Sequence, residues 1–277
     1  MLRIIGFRSG REASMRIVLV LGCWMGQLLC SASAAPAPML PWKVVASYPH
    51  DASSFTQGLV IDGDRLIEGT GLYGQSRLTV RSRSNGELLS STSLPDDQFG
   101  EGVAVVGDRI IQLTWMNGIA HVFDRNLQPL TRFRLSTEGW GLTFDGHRLI
   151  RSDGSATLRF HDARTYAETG RVEVLDGTAV IANLNELEFV GGYVYANIWQ
   201  SDRIAIIDPV SGKVRAWMDL ASLSERFPKP VGWDRQEAVL NGIAVLPENG
   251  HLLVTGKLWP MMFELSVDKA LLKAHRP

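Results

Sequence analysis

The sequence predicts an all-β protein, a five-bladed β-propeller that an N-terminal strand closes within the last blade. Three observations predict this fold. A similar sequence motif occurs five times, at intervals of roughly forty to fifty residues, which is typical of propeller repeats. Each copy holds short apolar runs of β-forming residues separated by tight turns. A further strand-like segment precedes the first copy, while the last copy lacks a fourth strand.

Each repeat starts with small or polar residues and continues with two apolar runs joined by a Gly- or Asn-containing turn. The copies are FTQGLVIDGDRLIEGTG (55–71), FGEGVAVVGDRIIQLTW (99–115), EGWGLTFDGHRLIRSDG (138–154), LNELEFVGGYVYANIW (184–199) and LNGIAVLPENGHLLVTGKLW (240–259). Such turns between apolar runs indicate β-hairpins, so each repeat supplies the first two strands of a blade. We align the copies on Gly58, Gly102, Gly141, Leu187 and Gly242.

Two further runs follow each hairpin. Third strands are predicted at 77–82, 119–124, 157–162, 203–208 and 262–267, and fourth strands at 88–94, 130–135, 172–175 and 214–220. The fifth repeat stops after its third strand, so we expect WKVVASY (42–48) to complete it. Closure of this kind removes the exposed edges of an open array. Residues 221–236 are predicted to form a loop with a helical turn, and residues 269–277 are predicted to form a tail.

Residues 1–34 have the pattern of a signal peptide. Four arginines precede an apolar stretch, and Ala32-Ser33-Ala34 resembles a cleavage site. The stretch of about 14 residues is shorter than the roughly 20 that a spanning helix needs, which favours cleavage over a retained anchor. We therefore expect residues 35–277 to form one propeller domain, a monomer free of the membrane, in the periplasm or outside the cell.

Composition excludes several kinds of site. A net charge of −1 gives no signal for nucleic-acid binding. Both cysteines, Cys23 and Cys30, lie in the predicted leader, so the mature chain would have no disulfide or cysteine nucleophile. The histidines are scattered, and no nucleophile elbow, phosphate loop or dinucleotide fingerprint occurs. The sequence thus indicates neither a cofactor nor a metal.

Functional residues are expected where the first strand of a blade starts and the second ends, because those positions share one face of a propeller. The residues there are mostly aromatic or amide-bearing, with a few acids and one lysine: Phe55, Gln57, Phe99, Glu101, Trp140, Asn185, Glu186 and Asn241 at the strand starts, and Trp115, Asn197, Trp199, Lys257 and Trp259 at the strand ends. Apolar walls with a few hydrogen-bonding groups are typical of a site for a small polar ligand. Any single aromatic could instead pack between blades, and Lys257 could be a solvated or ion-paired lysine.

Glu101 is the strongest candidate for chemistry. It follows Phe99 and lies between two glycines at the start of a predicted inner strand. A carboxylate there should be partly desolvated, which raises its pKa, and such acids are candidates for proton transfer. By contrast, either of Glu186 and Glu188, which alternate along one strand, could simply brace a loop.

The motifs resemble those of the plant-type glutaminyl-peptide cyclotransferases, a family also found in bacteria. Those that carry the resemblance are FTQGL (55–59), GTGLYGQS (69–76), FGEG (99–102), QLTW (112–115), EGWGL (138–142), SDGS (152–155), LNELE (184–188), NIW (197–199), IDP (207–209), LNGIA (240–244) and VTGK (254–257). They cover about residues 45–265, in order. Together they are far more specific than any one alone.

The resemblance implies an acyltransferase that cyclises the N-terminal glutamine of peptides or proteins to pyroglutamate, releases ammonia and uses no catalytic metal. It implies that Glu101 is the central acid and that the substrate pocket consists of eight further residues: Phe55, Gln57, Phe99, Trp115, Trp140, Asn185, Trp199 and Lys257. Gln57, Asn185 or Lys257 would stabilise the oxyanion, and the sequence leaves the choice open.

Two alternatives remain: a propeller that only binds N-terminal peptides, and a metal-dependent lactonase, which would need several carboxylates and amides around a cation.

Overall fold

A computed structural model describes residues 36–229 and 231–273; the predicted leader, residues 1–34, lies outside them. The first strand, β1 (Trp42–Pro49), is followed by four sheets and the last three strands of a fifth. Blade 1 contains β2 (Thr56–Asp62), β3 (Arg65–Thr70), β4 (Arg77–Ser82) and β5 (Leu88–Ser93); blade 2 contains β6 (Gly100–Val106), β7 (Arg109–Thr114), β8 (Ile119–Asp124) and β9 (Pro129–Arg134).

The remaining sheets follow the same order. Blade 3 contains β10 (Leu142–Phe144), β11 (Arg148–Arg151), β12 (Thr157–Asp162) and β13 (Glu168–Glu173), and it is followed by a small hairpin of β14 (Leu175–Asp176) and β15 (Ala179–Val180). Blade 4 contains β16 (Leu184–Val190), β17 (Tyr193–Ile198), β18 (Arg203–Ile207) and β19 (Val214–Asp219). Blade 5 contains β20 (Leu240–Val245), β21 (Leu252–Gly256) and β22 (Met261–Val267). The fold is the predicted five-bladed propeller. A 3-10 helix (Ala221–Arg226) precedes blade 5, and α1 (Ala270–Lys273) follows it.

The strand that precedes the first repeat is the outer strand of blade 5. β1 pairs antiparallel with β22, and Trp42 lies opposite Val267 while Pro49 lies opposite Met261. The fifth sheet therefore combines strands from the two ends of the described chain. One predicted strand was misplaced: the fourth strand of blade 3 is β13 and not 172–175, because residues 175–180 form the separate hairpin β14–β15.

The hydrophobic core lies between blades. One buried cluster joins Ile67 of blade 1 to Ile110 of blade 2, and others join each later pair of neighbours. The ring is completed where Leu59 of blade 1 packs with Ala244 of blade 5. Outer strands such as β5 are mostly exposed, whereas inner strands such as β6 are almost wholly buried. Burial of apolar surface between blades is therefore what holds the ring together.

The inner strands approach one another closely at glycines near the propeller axis. The Gly102 N–H donates to Trp140 O over 2.7 Å. A Cβ on Gly102 would lie 2.5 Å from that oxygen, and one on Gly141 would collide with Asn185 O. The pairing of the first two strands is irregular at this point in four blades: after Thr56, Gly100, Leu184 and Leu240. Bulges of this kind redirect side chains, and they are frequent beside functional sites.

The register corrects one detail of the repeat alignment. Val103 of blade 2 and Leu187 of blade 4 both resume regular pairing after the bulge. Hence Glu186, and not Leu187, occupies the position of the glycine in blade 4. Its buried carboxylate accepts the N–H groups of Leu59 (3.2 Å) and Ile243 (2.9 Å), so it bonds to the inner strands of blades 1 and 5.

Glu188 braces the axis in a similar way. Its carboxylate accepts the N–H of Val245 over 3.0 Å and the hydroxyl of Thr143 over 3.3 Å. Burial raises the pKa of Glu188 to about 7, although these hydrogen bonds oppose the increase. Burial, with the neighbouring Glu188 charge adding to it, raises the pKa of Glu186 well above its ordinary value. Both acids therefore serve as braces.

Gly102→Ala is expected to lower the free energy of unfolding by about 2–3 kcal/mol, because the new methyl group overpacks the backbone of blade 3. Chemical denaturation monitored by circular dichroism would measure this. The matched control is Gly170→Ala on an outer strand, where the new Cβ would lie 3.7 Å from the Phe160 ring, an ordinary contact distance. That change should stay within about 0.5 kcal/mol. Equal losses from the two variants would contradict the role of the axial glycines.

Candidate active site

The bulges aim polar side chains at one end of the propeller axis. Gln57, Glu101, Asn185 and Asn241 all lie where the pairing of the first two strands is irregular, and all are at most 4% exposed. Trp140 precedes β10 at the corresponding place in blade 3. Five blades thus contribute side chains to one small region, as the sequence predicts.

Glu101 is buried and only partly hydrogen-bonded. The Gln57 amide donates to its Oε1 over 3.0 Å, whereas its Oε2 is buried without a protein partner among the described residues. Burial raises the pKa of Glu101 well above its ordinary value; the Lys257 charge opposes this effect and the Glu138 charge adds to it. The acid therefore keeps a proton to higher pH than an exposed glutamate does, and its Oε2 is available to exchange that proton.

Lys257 and Asn185 bring further polar groups to the same region. The Lys257 ammonium lies 4.8 Å from the centre of the Phe55 ring, and burial lowers its pKa while the Glu101 charge opposes the change. The Asn185 backbone oxygen accepts the Ser152 hydroxyl over 2.7 Å, but its side-chain Oδ1 is buried without a partner among the described residues. An unpaired buried amide is costly, so it marks a place where a ligand can bind.

A continuous aromatic wall surrounds these polar groups. Phe99 makes edge-on contacts with Phe55 and with Trp115, at centroid distances of 6.0 and 5.7 Å. Trp140 makes a similar contact with Trp199 at 5.7 Å. Trp199 is 37% exposed and forms the outer part of the wall.

Glu138 joins the two halves of the wall. Its Oε2 accepts the indole N–H of Trp115 over 2.7 Å and that of Trp140 over 2.9 Å. The guanidinium of Arg151, which is fully buried, donates to the backbone oxygen of Glu138. Burial lowers the pKa of Arg151 to about 10. The carboxylate is thus fixed between blades 2 and 3 and holds both indoles in place.

The contacts described above link eight of the nine residues that the resemblance assigns, and Asn185 lies at the equivalent bulge of blade 4; that they bind substrate stays a prediction. Sequence reasoning missed Glu138 as a wall residue, although it opens the third repeat two positions before Trp140. It also missed Tyr73, whose ring lies 5.5 Å from that of Phe99. Tyr73 falls in the glycine-rich segment 69–74, which the sequence suggests only as a turn.

A separate cavity of about 860 Å³ lies along the seam between blades 1 and 5, and none of the nine residues lines it. Its polar groups are largely paired with each other. His50 Nε2 lies 3.0 Å from Glu68 Oε1, and Glu264 accepts the Tyr48 hydroxyl over 2.8 Å. Within residues 36–229 and 231–273, no three His, Cys, Asp or Glu side chains are grouped to hold a metal ion, and no helix is long and apolar enough to cross a membrane.

The fold and the site define a propeller in which a buried acid, Glu101, has an oxygen without a partner among the described residues and lies beneath an aromatic wall. The chain belongs to the glutamine cyclotransferase family, which residues 16–267 match. It is 38% identical to a glutaminyl-peptide cyclotransferase of Arabidopsis thaliana over 235 residues, which are 84% of this chain and 73% of the relative. It also resembles the crystal structure of Myxococcus xanthus glutaminyl cyclase, with 36% identity and a TM-score of 0.77; the match covers 84% of this chain and 98% of that one.

Glu138→Ala is expected to loosen the wall, because two indole N–H groups lose their shared acceptor. The near-ultraviolet circular dichroism of the tryptophans should weaken, and the free energy of unfolding should fall by about 1–3 kcal/mol. Glu138→Gln retains an acceptor oxygen and should keep most of the signal. Glu173→Ala, at an exposed position of β13, is the control. An unchanged tryptophan signal in Glu138→Ala would show that the carboxylate does not hold the indoles.

Proposed function

We propose that this chain cyclises the N-terminal glutamine of peptides or proteins to pyroglutamate and releases ammonia, as a metal-independent glutaminyl-peptide cyclotransferase, an acyltransferase. The observation that carries the proposal is Glu101, a buried acid with one free oxygen beneath an aromatic wall. Membership of the glutamine cyclotransferase family and the names of the two relatives support the same reaction.

The wall suits this substrate because the reaction is intramolecular. The α-amine must fold back onto the side-chain amide carbon, and holding reacting atoms in contact removes much of the entropic barrier. Phe99, Trp115, Trp140 and Trp199 supply apolar surface that favours a compact conformer and excludes water. The exposed edge at Trp199 leaves room for the rest of a peptide chain to leave the pocket.

Glu101 acts as both base and acid in the proposed mechanism. An α-amine has a pKa of about 7.7–8.0, so a useful fraction reaches the site in the neutral form. A carboxylate with a raised pKa is well matched to accept the one proton that this nitrogen loses as it attacks. The amine nitrogen forms a bond to Cδ of the glutamine side chain, and Glu101 takes a proton from the nitrogen. Glu101 then returns a proton to the amide NH₂ as the C–N bond breaks, so ammonia leaves and the lactam keeps one N–H.

Asn185 and Lys257 are the proposed partners of the developing oxyanion. The Gln57 amide already donates to Glu101, whereas the side-chain NH₂ of the buried Asn185 can donate to an oxyanion. Lys257 lies close enough to Glu101 for its charge to act on the acid. A single donor to an oxyanion is worth on the order of 10²–10³ in rate. Asn185 belongs to blade 4, and Lys257 follows the second strand of blade 5.

Export is a separate proposal. The basic and apolar pattern of residues 1–34 supports secretion and removal of a signal peptide. The mature enzyme would then work in the periplasm or outside the cell, as a monomer. N-terminal sequencing of the exported protein tests this: a first residue near Ala35 supports it, and an intact Met1 or Met15 contradicts it.

The proposed reaction is tested by incubating the purified protein with Gln-initiated dipeptides, with and without EDTA. We expect equimolar ammonia and pyroglutamyl peptide at a rate that EDTA does not change. Binding of the peptide without ammonia release would support the binding-only alternative and overturn the enzyme assignment. Release that EDTA abolishes would overturn the metal-independent mechanism.

Glu101→Gln is expected to lower kcat by at least about 10²–10⁴-fold, because an amide cannot carry the proton. Thermal unfolding would show that the variant is folded, and ammonia release would measure kcat. Glu188→Gln is the matched control, since Glu188 is also a buried acid with a raised pKa in an inner strand but contacts none of the proposed site. Turnover near the normal rate in Glu101→Gln would refute the role of Glu101.

A further inference from the structure

We infer that Asn241 is a positioning residue that, through Gln57, fixes which oxygen of Glu101 carries the proton. The inference rests on the proposed function. Asn241 lies in β20 of blade 5 and is fully buried; its position in the repeat predicts that it reaches this face, but the family resemblance gives it no role. Three contacts carry the argument, and each determines the orientation of the next group.

The orientation of the Asn241 amide is set by a backbone carbonyl. Its Nδ2 lies 2.9 Å from Thr56 O, an atom that can only accept a hydrogen bond. The NH₂ group of Asn241 must therefore face blade 1. The same Nδ2 lies 3.1 Å from Gln57 Oε1, so it can donate to both atoms.

The orientation of the Gln57 amide follows from that of Asn241. With an NH₂ donor on one side, Gln57 presents its oxygen there and its own NH₂ to the opposite side. On that side, Gln57 Nε2 donates to Glu101 Oε1 over 3.0 Å. A reversed Gln57 amide would place two NH₂ groups against each other and an oxygen against the carboxylate.

The two oxygens of Glu101 consequently differ. Oε1 is held by Gln57, while Oε2 is buried without a partner among the described residues, so Oε2 is the oxygen that exchanges a proton with the substrate. A donor to the carboxylate favours the ionised form and so lowers the pKa of the acid. The charged groups that act on Glu101 are Lys257, which favours the ionised form, and Glu138, which opposes it. The hydrogen bond from Gln57, which Asn241 orients, also lowers the pKa of Glu101, as the Lys257 charge does, but it adds no charge.

Asn241→Ala tests the inference through the pH dependence of kcat with a single Gln-initiated dipeptide. Without the Asn241 donor, Gln57 is free to reverse and the Glu101 carboxylate loses its fixed donor. The acidic limb of the profile, where activity rises as Glu101 ionises, should move to higher pH by about one unit. Since the substrate is the same throughout, its own ionisation is common to all variants.

Two further variants separate positioning from general structural damage. Asn197 is an equally buried asparagine whose Oδ1 accepts the Gly242 N–H over 3.0 Å, next to Asn241. Asn197→Ala should lower the melting temperature and leave the acidic limb in place. Gln57→Leu should reproduce the shift of Asn241→Ala, and the double variant should show no further shift, because Asn241 acts only through Gln57.

An unmoved acidic limb in Asn241→Ala, or additive shifts in the double variant, would overturn the inference. If Asn241→Ala does not fold, Asn241→Ser keeps a hydroxyl donor and should give a smaller shift in the same direction; no shift would again overturn it. If the wild-type protein releases no ammonia, the proposed function fails instead, and the Asn241 variants are then compared by infrared titration of Glu101, with the same expected shift.

Discussion

The close approach of the inner strands at glycines around the axis is the constraint on which the rest of the structure depends. Gly102 and Gly141 have no room for a Cβ, because the backbone of the next blade occupies that space. The pairing of the first two strands becomes irregular there, and the preceding side chains turn into the mouth of the propeller. The site is thus a consequence of how five hairpins meet at one axis.

The chemistry proposed for Glu101 follows from where that constraint places it. Gly102 fixes the acid beside blade 3, where Glu138 and the indoles of Trp115 and Trp140 exclude water. In this environment burial keeps the pKa of Glu101 well above its ordinary value, with Lys257 moderating the effect. Burial alone does not make an acid catalytic, because Glu186 and Glu188 are also buried. Those two carboxylates have backbone N–H partners, whereas Glu101 has a free oxygen.

Much of this arrangement could be predicted from the sequence, because hairpin turns and strand direction are local properties that the repeats display. Five blades and the convergence of the nine residues follow from them. Contacts between blades could not be predicted. Glu138 acts between tryptophans of blades 2 and 3, and Asn241 reaches Thr56, far away in the sequence. The bulge that places Glu186 at the glycine position of blade 4 has no signature in a single sequence, so the repeat alignment was one residue out there.

The proposed role of Glu101 depends on its raised pKa, which follows from burial, and on an Oε2 that has no partner among the described residues. Infrared difference spectroscopy between the wild-type protein and Glu101→Gln measures this directly, through the carbonyl stretch of a protonated carboxyl group. The expected result is a band that belongs to Glu101 and persists to a pH well above the ordinary pKa of glutamate. A Glu101 carboxyl group that is already ionised at pH 5 would contradict it.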